Sequence, residues 1–260
     1  ILDQHADSYR KIRNTFRYLL GNLNDNFENI ELENIDIKKL PELEQFMLHK
    51  IYCLNSNFHK YFNNYDFHNL YKELLSFCTI DLSAFYFDIR KDTLYCDPKD
   101  SDKRKSTLIL LNVILNSLLK WFAPILSFTT EEIFQLILKK NKSIHLEKFL
   151  EIPKKFENSE LNSKWMQILK IRDICNLSIE EKRANKEIGS SLEAALAIKL
   201  DKKSFEMIEG VDLSEICITS LVNIEDGNSK DISVITSKAE GVKCPVCWKI
   251  NKQFCKRHKD

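Results

Sequence analysis

Glycine and proline are scarce in this sequence, five of each in 260 residues. Turn-rich β architecture needs more of both, so the chain reads as mainly α. No apolar run approaches the ~20 residues of a membrane-spanning helix, no secretory signal opens the chain, and no membrane partner is expected. There is no Gly-x-Gly-x-x-Gly loop, no nucleophile elbow and no assignable pair of catalytic carboxylates, so no catalytic residue is named. Charge of one sign is also lacking: 39 basic and 38 acidic residues leave +1, and any electrostatic preference has to be sought locally. The first residue is Ile1, inside what reads as running sequence, and the chain is expected to be a piece of something longer.

Five of the eight cysteines, Cys53, Cys78, Cys96, Cys175 and Cys217, stand singly among apolar residues. A disulfide framework needs paired spacings, so these thiols point to a reducing, cytoplasmic compartment. The other three behave differently. Cys244-x-x-Cys247 and Cys255-x-x-His258 are two ligand pairs around a loop of seven residues. Three thiolates and one imidazole fill a tetrahedral zinc shell and leave no position for water, which argues for one structural ion and against a catalytic one. The segment has almost no apolar core of its own, so it should be largely unfolded without metal. From Lys238 to Asp260, seven Lys/Arg face two acids. No βαβ pattern surrounds the first pair, which argues against a redox role.

Helical periodicity organises the rest. With Asp7 or Ser8 as N-cap, residues 9–23 place Ile12, Phe16, Leu19, Leu20 and Leu23 on one face and Arg10, Arg13, Asn14 and Arg17 on another. Guanidiniums at i, i+3 and i+7, with Lys11 beside them, can track a phosphate backbone; a merely solvated face is the alternative. Residues 22–41 read as a polar connection and 42–62 as a second helix. A third runs from Asp66 towards Ile89, and Asp97-Pro98 marks a break. His49, His59 and His68 read as helix-surface or boundary residues. The helix from Asp102 is apolar nearly all round and should lie at the centre of a bundle. Pro124 ends or kinks it, and Thr129 or Thr130 starts another. Lys103-Arg104-Lys105-Ser106-Thr107 lacks a Gly-rich partner and is set aside as a phosphate signature. Residues 162–187 form a further helix stopped by Gly189. Strands follow over 192–200, over 216–224 and over 232–235, with a short helix near 203–208 and a turn at Glu225-Asp226-Gly227-Asn228. The expected domains are 1–150, a helical bundle; 151–238, a small α+β junction domain; and 239–260, a zinc knuckle.

Several segments together resemble one family. The stretch from Asp7-Ser8-Tyr9-Arg10 through Arg17-Tyr18-Leu19-Leu20 to Leu23 resembles the opening helix of the anticodon-binding domain of bacterial isoleucyl-tRNA synthetases. Asp81-Leu82-Ser83-Ala84-Phe85-Tyr86 with Lys91-Asp92, and Trp121-Phe122-Ala123-Pro124 through Thr129, are similar to its later bundle helices. Ile188-Gly189-Ser190-Ser191-Leu192-Glu193-Ala194 resembles its junction region, and Ala239-Glu240-Gly241 before Cys244 the entry to its terminal zinc domain. The resemblance runs along nearly the whole chain in the same order. It implies recognition of the anticodon stem-loop of tRNA(Ile), with Arg10, Lys11, Arg13, Arg17, Lys91, Lys243, Trp248, Lys249 and Arg257 on the RNA and Cys244, Cys247, Cys255 and His258 on zinc. Trp248 is the candidate stacking platform, or a side chain packing the knuckle against the junction domain.

The family's two ATP-handling signatures and its editing domain do not occur here. The resemblance therefore implies a monomeric tRNA-binding fragment that does not itself activate an amino acid, working with a catalytic domain elsewhere in the parent ligase, where ATP would bind. The family commonly ends in two Cys-x-x-Cys pairs with a longer insert, and the Cys255/His258 half departs from that pattern. A helical protein-interaction module or a DNA-binding module with a structural knuckle is the alternative.

Overall fold

The computed structural model describes residues 2–24, 30–138, 142–225 and 228–258. The chain divides into two compact units, 1–159 and 160–260. Among the described residues, no helix is long and apolar enough to cross a membrane.

The first unit is a helical bundle: α1 (Leu2–Leu23), α2 (Glu42–Asn63), α3 (Phe67–Ser76), a π-helical segment (Phe77–Phe87), α4 (Asp88–Cys96), α5 (Asp102–Phe122) and α6 (Ser127–Leu138). Helix α5 is buried almost throughout, including Leu110, Leu111, Ile114, Leu115, Leu118, Trp121 and Phe122. Its all-round apolar character therefore does place it at the centre. Ser101 caps its start by accepting from the Arg104 amide at 3.4 Å, in the manner of an ordinary helix N-terminus. The Trp121 indole N–H donates to Asn55 Oδ1 at 3.0 Å, and the Asn55 amide donates to the Leu150 carbonyl at 3.2 Å. The buried polar atoms of this aromatic core thus have partners, as burial demands.

Two boundaries differ from the sequence expectation. Helix α1 begins at Leu2, so Asp7 is not its cap but an interior residue, paired with Lys11 at 2.8 Å across one turn. The third helix does not run on as an α-helix. From Phe77 to Phe87 it takes the i→i+5 pattern before resuming as α4. His49 also departs from expectation: it is only 5% exposed, and its Nδ1 accepts the Asn158 N–H at 2.9 Å. That bond puts the proton of the neutral ring on Nε2, 3.5 Å from the Cys53 sulfur.

The second unit is α+β. Helix α7 (Ser159–Ala184) is followed by β1 (Ala194–Asp201), α8 (Lys202–Met207), α9 (Leu213–Ile216), β2 (Leu221–Glu225) and β3 (Asn228–Lys238). The sheet order is β2-β1-β3, with β1 parallel to β2 and antiparallel to β3. β1 alternates buried and half-buried residues, as a strand covered mainly on one face does. Ser178 on α7 shares a 2.7 Å hydrogen bond with Thr236 on β3, and Arg172 Nε donates to the Ile216 carbonyl at 3.0 Å. Helix α7 thereby lies against the sheet.

Two expectations are corrected here. Helix α7 stops at Ala184, five residues before Gly189, and Lys186 turns the chain at φ 58°. Ile216 ends the short helix α9 instead of opening a strand. The β1–α8–α9–β2 connection is a parallel crossover that precedes the Cys244/Cys247 pair and does not surround it; its helices are too short to leave a periodic signature. Of the expected turn 225–228, Asp226 and Gly227 lie outside the described residues.

Candidate metal centre and basic cleft

The chain leaves β3 into a two-stranded hairpin, β4 (Val242–Lys243) and β5 (Ile250–Asn251), that carries the knuckle. The Cys244 N–H donates to the Lys249 carbonyl at 2.9 Å and the Trp248 N–H to the Cys244 carbonyl at 3.0 Å, closing a tight turn around both thiols. Trp248 pays for that turn with φ 62°, a left-handed conformation costing about 1 kcal/mol for a residue with a Cβ. The ligand atoms of Cys244, Cys247, Cys255 and His258 all lie within 4.8 Å of one another. Cys247 Sγ is 3.8 Å from Cys255 Sγ, and His258 Nδ1 is 3.5 Å from the sulfurs of both Cys244 and Cys255. The four residues named from spacing therefore converge, and they could hold a metal ion. The facing nitrogen is Nδ1, which spacing alone does not specify.

The thiols are not equivalent. Burial pushes Cys247 up to about 12, with the Cys244 and Cys255 sulfurs adding to the rise. Burial acts upward on Cys244 too, but the Cys247 and Val246 amides and His258 outweigh it and bring that thiol to about 6.

Two residues support the knuckle: Ser220, which sequence reading passed over, and Gly241, which it named only within the family resemblance. The Ser220 hydroxyl accepts the Ile250 N–H at 2.6 Å and donates to the Leu192 carbonyl, while the Ser220 N–H reaches the Ala194 carbonyl. Gly241 sits at φ +135°, where an added Cβ would stand 2.1 Å from the Asn251 carbonyl oxygen. We predict that Gly241→Ala opens the β4–β5 hairpin and weakens metal binding by at least about tenfold, equivalent to about 1.4 kcal/mol. Competition against a chromogenic chelator would measure it, and unchanged affinity would rule the hairpin out as a support.

Around the knuckle, Trp248 is 59% exposed with the Lys243 ammonium 5.7 Å from its ring centroid. Phe254 and Val246 are exposed beside it in sequence, at 92% and 49%. Trp248 is thus an open aromatic face carrying a cation, not a plug packed into the sheet. Arg257 is exposed, whereas Lys249 is half-buried in the field of Asp212.

In the first unit, Arg10, Arg13 and Arg17 lie exposed along one stripe of α1. Arg13 Nη1 donates to the Tyr9 hydroxyl at 3.2 Å, and Tyr9 shares a 3.0 Å bond with Thr129 on α6. Next to the stripe is a cleft of about 540 Å³ between α1, the π segment and α4, and Lys11 and Lys91 both line it. Lys11 is paired with Asp7, and Lys91 with Asp88 at 2.6 Å. Such exposed pairs are weak enough to exchange their carboxylate for a phosphate. The structure therefore gathers Arg10, Lys11, Arg13, Arg17 and Lys91 on the first unit, and Lys243, Trp248, Lys249 and Arg257 with the metal cluster on the second.

A helical bundle bearing a basic stripe, joined to a small α+β unit that carries a Cys₃His cluster, has the features of a nucleic-acid-binding module. Comparison with known proteins makes the class specific. The family profile described as "Anticodon-binding domain of tRNA ligase" matches residues 44–199. The chain belongs to that family. It is 68% identical over 260 residues to an isoleucine–tRNA ligase of Pelagibacter ubique (strain HTCC1062), covering 100% of this chain and 29% of that protein. It is 38% identical to one of Bartonella henselae (96% of this chain, 26% of that protein) and 39% identical to one of Agrobacterium fabrum (96% and 27%). The chain thus spans less than a third of the length of these relatives. The profile match includes neither the α1 stripe nor the metal cluster.

Proposed function

We propose that this chain is the tRNA-holding part of a cytoplasmic, monomeric isoleucine–tRNA ligase, and that it grips the anticodon stem-loop of tRNA(Ile). The observation that carries the reading is the basic stripe and cleft on a bundle of the anticodon-binding family, in a chain similar along its whole length to isoleucine–tRNA ligases. Arg10, Arg13, Arg17, Lys11 and Lys91 neutralise phosphates and set position, without reading sequence. Trp248, open and backed by Lys243, offers a face on which an unstacked base lies; Arg257 and Lys249 add local positive charge. ATP-dependent activation of isoleucine belongs, in this reading, to a catalytic domain elsewhere in the parent ligase.

The ion is zinc and its role is structural. A tetrahedral ion with Zn–S near 2.3 Å and Zn–N near 2.05 Å sets S···S edges of about 3.8 Å and S···N edges of about 3.6 Å. Three of the six separations agree with these edges, 3.8 Å between Cys247 and Cys255 and 3.5 Å from His258 to Cys244 and to Cys255, and all six lie within 4.8 Å. With four protein ligands, zinc has no open position for a water or substrate, so what it supplies is a fixed fold for the residues around Trp248.

Phosphate contacts predict a steep salt dependence. Five neutralised phosphates give a slope of log affinity against log salt of about −4.5, and Arg13→Ala reduces its magnitude by roughly 0.9. Titration of labelled tRNA(Ile) at several salt concentrations reads both. Absence of binding at low salt with zinc present would exclude the RNA reading. Equal competition by duplex DNA would favour a general nucleic-acid module, and a nuclease-insensitive protein partner would favour an interaction module.

A further inference from the structure

Residues 188–194 stand out in the sequence, yet no RNA contact uses them. In the structure they form a closed turn. The Gly189 N–H donates to the Glu193 carboxylate at 3.0 Å, and the Glu193 N–H donates to the Ser190 carbonyl at 3.0 Å across the 3₁₀ turn Ser191–Glu193. Three consecutive carbonyls then accept from elsewhere in the unit. Leu192 takes the Ser220 hydroxyl, Glu193 takes the Ala239 N–H at 2.7 Å, and Ala194 takes the Ser220 N–H at 3.1 Å. The two backbone bonds extend the β1–β3 and β1–β2 ladders by one residue each.

Ser220 and Ala239 are also where the knuckle is tied down. Ala239 stands just before the bend at Gly241 that leads into β4, and the Ser220 hydroxyl accepts the Ile250 N–H of β5 at 2.6 Å. Each strand of the hairpin is therefore tethered to the same turn. The knuckle cannot swing away from the sheet without breaking one of these bonds.

The corner that presents Ser220 is built against local preference. Ile218 has φ 54°, a left-handed conformation that a β-branched residue rarely adopts. Thr219 beside it is fully buried, and its hydroxyl finds no partner among the described residues, although buried hydroxyls nearly always have one. The surroundings hold this path in place. Asp212 accepts the Ser214 and Glu215 N–H groups at 2.9 and 3.2 Å, the Thr219 N–H donates to the Ser214 carbonyl at 2.9 Å, and Arg172 on α7 reaches the Ile216 carbonyl. Backbone strain persists where the surrounding structure over-determines it, and it gathers at functional positions. Here the strained path delivers one hydroxyl to the gap between Leu192 and Ile250.

We propose that the turn 189–194 is the seat of the knuckle and that Ser220 is a positioning residue, fixing the knuckle and the exposed face of Trp248 in one orientation against the sheet. The proposal rests on the RNA-holding reading and deepens it. Zinc fixes the fold of the knuckle, whereas the seat fixes where that fold points. A recognition surface already held in its binding orientation avoids the ordering cost of one that swings.

The test uses the full chain with zinc and compares the wild type with Ser220→Ala and Ser220→Thr. In the wild type, residual dipolar couplings of amides in the sheet and in the knuckle should fit one common alignment tensor. In Ser220→Ala the knuckle couplings should shrink and the Ile250 amide should exchange faster, while one tight equivalent of zinc stays bound. Ser220→Thr keeps the hydroxyl and should restore the common tensor. Affinity for tRNA(Ile) should fall roughly two- to tenfold in Ser220→Ala, the share of one net hydrogen bond, with the salt slope unchanged because no charge is lost. A Ser220→Ala protein whose knuckle keeps the common tensor would overturn the seat, and one whose knuckle swings without loss of affinity would overturn its part in RNA binding. If Ser220→Ala does not fold, the wild type decides: knuckle couplings averaged independently of the sheet would overturn the seat equally. Failure of the wild type to bind tRNA(Ile), with the common tensor intact, would instead sink the underlying RNA reading.

Discussion

Cys255→Ser, or removal of the metal by a strong chelator, is expected to unfold residues from about Gly241 to His258 while the bundle and the three-stranded sheet stay folded. Only Cys244 and Cys247 are buried among the described residues of that segment, and its regular structure is two strands of two residues each. So little buried surface cannot offset the ordering entropy of the segment, which at roughly 1–2 kcal/mol per residue exceeds any apolar gain. Metal binding, with apparent values of about 10–16 kcal/mol for structural zinc sites, supplies the difference. Amide exchange should become rapid across the segment, Trp248 emission should change, and far-ultraviolet circular dichroism should hardly move. A Cys255→Ser protein holding one tight equivalent of zinc would exclude the four-ligand site.

The same site predicts a pH dependence. Metal needs thiolates, and Cys247, pushed up to about 12, is protonated in the metal-free protein at neutral pH. Cys244, near 6, is already mostly ionised. A thiol whose proton must be displaced makes affinity rise with pH, by up to tenfold per unit for each proton released. Zinc affinity should therefore climb from pH 6 to 8, with at least one proton released per ion at pH 7.5, measurable by calorimetry in buffers of different ionisation enthalpy. A flat profile would mean that all three sulfurs are already thiolates.

The Cys₃His cluster was legible in the sequence because the fifteen residues from Cys244 to His258 are local: two short pairs and a loop state the geometry almost directly. The bundle was legible for a related reason. Apolar residues at helical spacing, such as Ile12, Phe16, Leu19 and Leu23, can face only a core, and all four are buried. What the sequence did not state lies in longer-range or off-period effects. A π-helical run uses the same apolar residues as an α-helix and differs only in which carbonyl each amide reaches, so Phe77–Phe87 passed as a continuation of α3. The cleft beside it was invisible for that reason, although Lys11 and Lys91 on its rim had been named. Gly241 was visible as part of a resemblance, but its necessity appears only once Asn251 is seen opposite it. His49 looked like an ordinary surface residue until the chain near Asn158 returned to cover it.

Arg90→Met is expected to be the most damaging single change in the bundle. A charged residue in a helix of mixed composition reads as solvent-facing, yet Arg90 is 2% and Glu44 0% exposed. The guanidinium meets the carboxylate with two 2.6 Å bonds, Nε to Oε1 and Nη2 to Oε2. Tyr86 donates its hydroxyl to Glu44 Oε1 at 3.0 Å, and Thr107 on α5 reaches the same oxygen at 3.5 Å. One carboxylate thereby ties α2 to the π segment, α4 and α5. Burial raises the Tyr86 hydroxyl far above its ordinary range and the Glu44 charge adds to this, so that hydroxyl stays a donor at any ordinary pH. Desolvating both ions makes the pair a weak net source of stability, but removing one partner strands the other charge, at about 3–5 kcal/mol. Against a total stability of about 5–15 kcal/mol for an ordinary domain, that is a large fraction. Arg90→Met should lower the Tm of the bundle by roughly 10 °C. The triple change Glu44→Leu, Tyr86→Phe, Arg90→Met removes every group left without a partner, while Thr107 keeps its 2.9 Å bond to the Lys103 carbonyl. It should recover most of the loss. Recovery would assign the damage of the single variant to a stranded charge, whereas a triple variant as unstable as Arg90→Met would show that the ion pair itself holds these helices together.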